Sequence, residues 1–115
     1  MNIFSALLSK TEDSRDLDNS AFENMIDRNN VIVLDVRTKH ENLQARIPNS
    51  ILIDIHEPDF SRKIDKLGRD KTYLVYCRSG VRSKNACKQM KQMGFENVYN
   101  LKNGIISWRG KSEQG

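Results

Sequence analysis

The stretch Thr72-Tyr73-Leu74-Val75-Tyr76-Cys77-Arg78-Ser79-Gly80-Val81-Arg82-Ser83 decides the fold. Its first five residues are β-branched, aliphatic or aromatic without interruption. That is the pattern of a strand buried on both faces of a parallel sheet. The run ends at Cys77 and passes through a short loop containing Gly80. Beyond it, Ala86, Cys87, Met90 and Met93 fall on one helical face, and Gly94 stands where a left-handed helix cap belongs. A buried strand feeding a helix through a short loop is the building unit of an α/β domain.

The same alternation extends outward in both directions. Val31 to Leu34 is another buried-strand run. Before it, Phe22, Met25 and Ile26 share a helix face, with Asp18, Asn19 or Ser20 as the cap and Asn29-Asn30 as the stop. Residues 39–46 predict a short helix or turn around Leu43, and Ile51 to Ile55 form a third apolar run. Phe60, Ile64 and Leu67 have helical spacing ahead of Gly68; Val98-Tyr99 reads as a short strand and Gly104 to Trp108 as a small helix. The expected architecture is an α/β domain with a mostly parallel central sheet of about five strands, flanked by helices on both faces. The expected organisation is an N-terminal helix and linker over 1–16, one domain over 17–109 and a frayed polar tail over 110–115. In the first segment Ile3, Phe4, Leu7 and Leu8 have amphipathic spacing, without the basic leader of a secretory signal.

Composition narrows the function. A chain of 115 residues makes one compact domain able to bury roughly two-thirds of its unfolded surface. With 37% hydrophobic and 30% charged residues, 6 Gly and 2 Pro, it is neither low-complexity nor collagen-like. No apolar run approaches a membrane span. The net charge of +4 suits an anionic small molecule, and without an aromatic–basic motif nucleic acid is not expected. Two cysteines are too few for a disulfide scaffold, so each must be read separately.

Cys77 sits where α/β sheets bind ligands, outside the carboxyl end of a strand and before a helix. Loop N–H groups and the helix dipole create an anion site there, and Arg78 and Arg82 add full charges. Such surroundings lower a thiol pKa, and the thiolate is the nucleophile. The plainer reading is an ordinary buried cysteine beside solvated arginines. The coincidence of strand, cysteine, glycine, two arginines and helix favours the reactive thiolate. Cysteine phosphatases place one residue more between Cys and Arg than the four between Cys77 and Arg82. The smaller ring suits a sulfur added directly to the cysteine.

Cys77 to Ser83 resembles the active-site loop of single-domain rhodaneses, the thiosulfate sulfurtransferases. Two further segments match in order. Leu34-Asp35-Val36-Arg37, Glu41 and Ile47-Pro48-Asn49-Ser50-Ile51 resemble the family's Asp-x-Arg and His-Ile-Pro-Gly-Ala segments. Gly94-Phe95-Glu96-Asn97-Val98, Leu101 and Asn103-Gly104-Ile105 to Trp108 resemble its C-terminal segment. Arg46 stands for the usual His, Asn49 and Ser50 for Gly and Ala, Asn42 for an aromatic, and Asn103 for the first Gly of a pair. The resemblance implies a rhodanese-like fold and a double displacement through a Cys77 persulfide, without metal or cofactor. Sulfur would pass from thiosulfate or a similar anionic donor to cyanide or a thiol, including a protein acceptor. Arg78, Ser79, Gly80, Val81 and Arg82 would form the anion-binding loop, with two arginines favouring thiosulfate. Asp35, Arg37 and Glu41 would support it.

Other readings stay beside these. A persulfide carrier or a protein-binding rhodanese module fits the same residues, and a cysteine phosphatase or arsenate reductase fits the loop less well. Asp35 and Arg37 also read as a structural ion pair, and Glu41 as an exposed carboxylate or a partner of Arg82 or Arg78. Cys87 reads as a core residue rather than a resolving thiol. His40 and His56 lack metal-ligand neighbours, Trp108 reads as packing, and Lys84, Lys88 and Lys91 read as a solvated basic face or a dock for an acidic protein. A thiolate that must accept sulfur implies a reducing, cytoplasmic setting.

Overall fold

The computed structural model describes residues 15–115. The amphipathic segment at Ile3, Phe4, Leu7 and Leu8 lies outside the described residues.

Five strands form one sheet: β1 (Asp16–Leu17), β2 (Val31–Asp35), β3 (Ile51–Leu52), β4 (Thr72–Tyr76) and β5 (Val98–Leu101). Their order is β1-β5-β4-β2-β3, and all four pairings are parallel. Between them lie α1 (Asn19–Met25), α2 (Lys39–Gln44), α3 (Phe60–Asp65) and α4 (Val81–Gln92), and a 3-10 turn follows at Ile105–Ser107. Asp18 caps α1 by accepting from the Ala21 N–H at 2.9 Å, the role its short carboxylate predicts.

The central strand β4 explains the two-sided apolar run. Tyr73 and Val75 point, with Cys77, into a core built from α3 and α4 through Phe60, Ile64, Ala86, Cys87 and Met90. Leu74 and Tyr76 point into a second core with Phe22 of α1, Ile47 and Leu101, against which Trp108 packs. Phe22 and Trp108 meet edge to face, with centroids 5.6 Å apart. Helices therefore cover both faces, and the site lies where β4 runs out between them.

Edges differ in length from the sequence reading. Asp16–Leu17, at the border of the expected linker, pairs with Asn100 and Leu101 as an edge strand. The apolar run from Ile51 to Ile55 yields only a two-residue strand, paired with Leu34 and Asp35, although the Ile53 N–H still donates to the Asp35 carbonyl at 2.9 Å and the Ile55 N–H to the Val36 carbonyl at 3.1 Å. The final small helix is one 3-10 turn. Residues 110–115 are largely exposed, but Arg46 and Glu113 exchange both backbone hydrogen bonds at 2.9 Å and the Gly115 N–H donates to the Leu43 carbonyl at 2.8 Å.

Candidate active site

Cys77 directly follows β4 and is fully buried, at 0% exposure. Its Sγ accepts from the Gly80 N–H at 3.1 Å and from the Ser83 hydroxyl at 3.3 Å. Burial pushes the thiol pKa up. The Ser83 hydroxyl and the N–H groups of Ser83, Gly80 and Ser79 outweigh it and hold the pKa below the ordinary thiol value. The donors converge because Gly80 turns the chain with φ +99° and starts α4 immediately after the loop. Ser83 Oγ is one of two side-chain or backbone groups hydrogen-bonded to the sulfur at these distances, so Ser83→Ala is expected to raise the Cys77 pKa. The rise of sulfur-uptake rate with pH should then move to higher pH, with wild-type stability nearly retained. An unmoved profile would deny the hydroxyl this role.

The loop is braced from two sides. From the β5 side, the Ile105 N–H donates to the Cys77 carbonyl at 2.9 Å and the Ile106 N–H to the Arg78 carbonyl at 3.1 Å. Asn100 Nδ2 reaches the Gly80 carbonyl at 3.2 Å and Asp16 at 2.8 Å. From the α2 side, Glu41 receives Arg82 in a two-pronged ion pair at 2.8 and 2.9 Å. Arg82, with the Thr38 backbone and side chain adding to it, holds the Glu41 carboxyl down at about 2, while Glu41 raises the Arg82 pKa. Glu41 also closes a capping box with Thr38 at the start of α2. Arg82 is thus engaged by Glu41, one of the two pairings the sequence left open for that carboxylate. Arg78 is exposed, and among the described residues no carboxylate pairs with it. Ser79 and Val81 are exposed beside it.

Asp35 and Arg37 lie at the end of β2, on the face of the sheet that carries Tyr76 rather than Cys77. Asp35 accepts from the Arg37 backbone N–H, Nε and Nη2, from Asn42 Nδ2 and from the Tyr76 hydroxyl, at 2.8 to 3.1 Å. Arg37 is 4% exposed, donates to the Ala45 carbonyl at 2.6 Å, and stacks over the Tyr76 ring. The bonds to Asp35 raise its pKa against the opposing pull of burial. Burial, with the Asp35 charge adding to it, pushes the Tyr76 hydroxyl up to about 12. Because Tyr76 gives its one proton to Asp35, the Ile47 N–H and Ser50 hydroxyl donate to its oxygen, each at 3.1 Å. The Val36 N–H then ties this strand end to the Tyr76 carbonyl, next to Cys77. Asp35→Asn is expected to lower unfolding free energy by about 3 kcal/mol in urea titration, since it strands a buried guanidinium without its countercharge. A loss under about 1 kcal/mol would mean that the pair is effectively solvated.

A family model for the rhodanese-like domain matches residues 18–111. The chain belongs to the rhodanese-like domain family. A sulfurtransferase of Allochromatium vinosum is 34% identical over 89 residues, which cover 77% of this chain and 81% of that one. A tRNA uridine(34) hydroxylase of Cytophaga hutchinsonii is 38% identical over 95 residues, 80% of this chain but 30% of that longer protein. The crystal structure of a rhodanese-related protein from Thermoplasma volcanium superposes with a TM-score of 0.72 at 35% identity, covering 82% of this chain and 89% of that one.

Within this rhodanese-like domain, the departures from the family pattern have physical accounts. Asn49 sits at φ +65°, a conformation that asparagine tolerates best after glycine. Asn42 and Ser50 are members of the Asp35–Tyr76 network. Arg46 donates to the Asn42 carbonyl at 3.3 Å and pairs with Glu113 at 3.5 Å, so it supports α2 and the tail rather than the Cys77 loop. Cys87 lies in the α3–α4 core, and no disulfide joins it to Cys77. Ser83, Tyr76 and Asn100 were not singled out as site residues by sequence reasoning. Ser83 was visible at the end of the loop motif; the other two carried no local signal.

Proposed function

We propose that this rhodanese-like domain moves sulfane sulfur from thiosulfate or a similar anionic donor to cyanide or a thiol through a persulfide on Cys77. The observation that carries the reading is the Cys77 sulfur held among N–H and O–H donors at the start of α4. In the first half, the Cys77 thiolate attacks the outer sulfur of thiosulfate. One S–S bond forms as the donor's S–S bond breaks, and the electron pair leaves on sulfite. In the second half, cyanide or a thiolate attacks the outer sulfur of the persulfide and Cys77 leaves as thiolate. Neither half draws electrons from elsewhere, so the chemistry calls for no cofactor.

The groups around the sulfur divide the work. Gly80 and Ser83 donate to the thiolate and to the negative charge on the persulfide, in the manner of an oxyanion hole. Arg78 and the loop N–H groups attract the donor dianion. Arg82 anchors the loop through Glu41, and the Asp35–Arg37–Tyr76 network steadies the neighbouring strand end. The thiolate must stay reduced to accept sulfur, which fits the cytoplasm.

Mass spectrometry tests the reading. Incubation with thiosulfate is expected to add the mass of one sulfur atom on the peptide containing Cys77, and cyanide is expected to remove it as thiocyanate. An unchanged mass, or sulfur found on Cys87, overturns it.

A further inference from the structure

We propose that the groove beside the Cys77 loop docks a protein acceptor whose acidic surface presents a cysteine thiol. The thiol rests on the persulfide reading above; the docking surface stands on its own observations. The groove has a volume of about 550 Å³ and runs from Ser79, Gly80 and Val81 along α4 to Lys88, with Lys102 and Asn103 on its other wall. It starts at the loop that holds the sulfur.

Its charge is one-sided. Lys84 and Lys88 are four residues apart on α4 and so share one stripe, which Lys91 continues. The carboxylate in the groove, Asp16, is largely covered and already engaged, by Asn100 at 2.8 Å and Lys84 at 3.8 Å. Among the described residues no carboxylate pairs with Lys88, Lys91 or Lys102. The backbone of Lys102 abuts Gly80, since a Cβ on Gly80 would lie 2.2 Å from the Lys102 carbonyl oxygen. Lysines therefore contribute to both walls of the groove, which adjoins the loop that holds the sulfur.

Apolar side chains complete the surface. Val81, at 73% exposure, opens α4 in the groove, and Ile106, at 60%, lies outside the groove lining beside Arg78, whose carbonyl its own N–H holds. Exposed aliphatic residues inside a charged rim are the anatomy of a protein interface. A small thiol would gain little from them. A nucleic acid would call for stacking platforms, and no residue lining the groove is aromatic. In the transfer, the acceptor thiolate attacks the outer sulfur of the Cys77 persulfide. The new S–S bond forms on the acceptor as the Cys77 bond breaks and Cys77 leaves as thiolate.

The test uses the full chain and two synthetic peptides, each with one cysteine among leucines and either glutamates or lysines. From the persulfide-loaded chain, the glutamate peptide is expected to take sulfur about tenfold faster than the lysine peptide. The gap should close near 1 M salt, where the screening length falls to about 3 Å. The Lys88→Glu/Lys102→Glu double variant is expected to lose the preference; taking the ratio of the two peptides cancels any change in sulfur loading. A second arm measures, by fluorescence anisotropy, binding of the glutamate peptide with serine for cysteine to the Cys77→Ser chain. Salt-sensitive binding that disappears with Lys88→Glu/Lys102→Glu supports the docking surface even if no persulfide forms, which separates failure of the surface from failure of the sulfur chemistry. Equal transfer to both peptides, or a preference that survives the double variant, overturns the proposal. Displacement of the peptide by a short single-stranded RNA at lower concentration overturns it in favour of nucleic acid.

Discussion

The Cys77→Ser chain is expected to fold and to take up no sulfur from thiosulfate. The serine oxygen would sit where Sγ accepts from the Gly80 N–H, so the loop keeps that hydrogen bond and stability should change by no more than about 1 kcal/mol. Chemistry is lost for two separate reasons. An alcohol is not ionised by hydrogen bonds that are enough to ionise a thiol, and a persulfide has no stable counterpart on oxygen. Transfer of sulfur from thiosulfate to cyanide should therefore drop below detection while the urea unfolding curve stays close to wild type. Cys87→Ala serves as the control. Cys87 packs in the α3–α4 core, so this variant should lose stability and keep sulfur uptake. Sulfur gained by Cys77→Ser would sink the proposed mechanism.

The contrast between the two cysteines was legible because their neighbours differ in kind. Cys77 follows a two-sided apolar strand and precedes Gly80 and a helix, while Cys87 sits at helical spacing with Ala86 and Met90. The same rule made β2 and β4 readable, since a strand covered on both faces is apolar at every position. Edge strands carry no such mark of length. Ile51 to Ile55 is apolar but for Asp54, and only Ile51 and Leu52 pair as a strand; Ile53 and Ile55 keep single hydrogen bonds to Asp35 and Val36 outside the ladder. Ser83 was visible at the end of the loop motif, but its role was not: its hydroxyl meets the sulfur because of the phase of α4, which periodicity fixes only to within part of a turn. The pairing of Arg82 with Glu41 joins residues 41 apart, and no local pattern chooses between Arg78 and Arg82. The sequence reading left that choice open, and the geometry of α2, with its capping box at Thr38 and Glu41, makes it. Residues 110–115 illustrate the same limit at the tail, where Glu113 meets the distant Arg46 through two backbone hydrogen bonds, which no side-chain pattern announces, as well as through an ion pair.

Gly104→Ala is expected to cost about 4–5 kcal/mol of stability and about a hundredfold in sulfur-uptake rate. Gly104 adopts φ 72° and ψ 179°, a region essentially confined to glycine. A Cβ there would lie 2.0 Å from the Arg78 carbonyl oxygen, 2.3 Å from its carbonyl carbon and 2.5 Å from the Ser79 nitrogen. All three are backbone atoms of the Cys77 loop, so no side-chain rotation relieves the clash. Moving the loop away would break the bonds from Ile105 and Ile106 to the Cys77 and Arg78 carbonyls. It would also shift the N–H groups aimed at the sulfur, and displacements of about 1 Å at a reacting centre cost orders of magnitude in rate. The preceding residue is informative: Asn103 stands where the family has the first glycine of a pair, and among the described residues only Asn30 and Asn49 are non-glycines at positive φ. The first position therefore tolerates a side chain and the second does not. Gly94→Ala separates strain from collision. Gly94 also has positive φ, at 98°, but a Cβ there meets nothing within 4 Å. It should lose about 1–2 kcal/mol from backbone strain alone, with sulfur uptake intact. If Gly104→Ala behaves like Gly94→Ala in both urea titration and uptake rate, the turn after β5 does not hold the Cys77 loop in place.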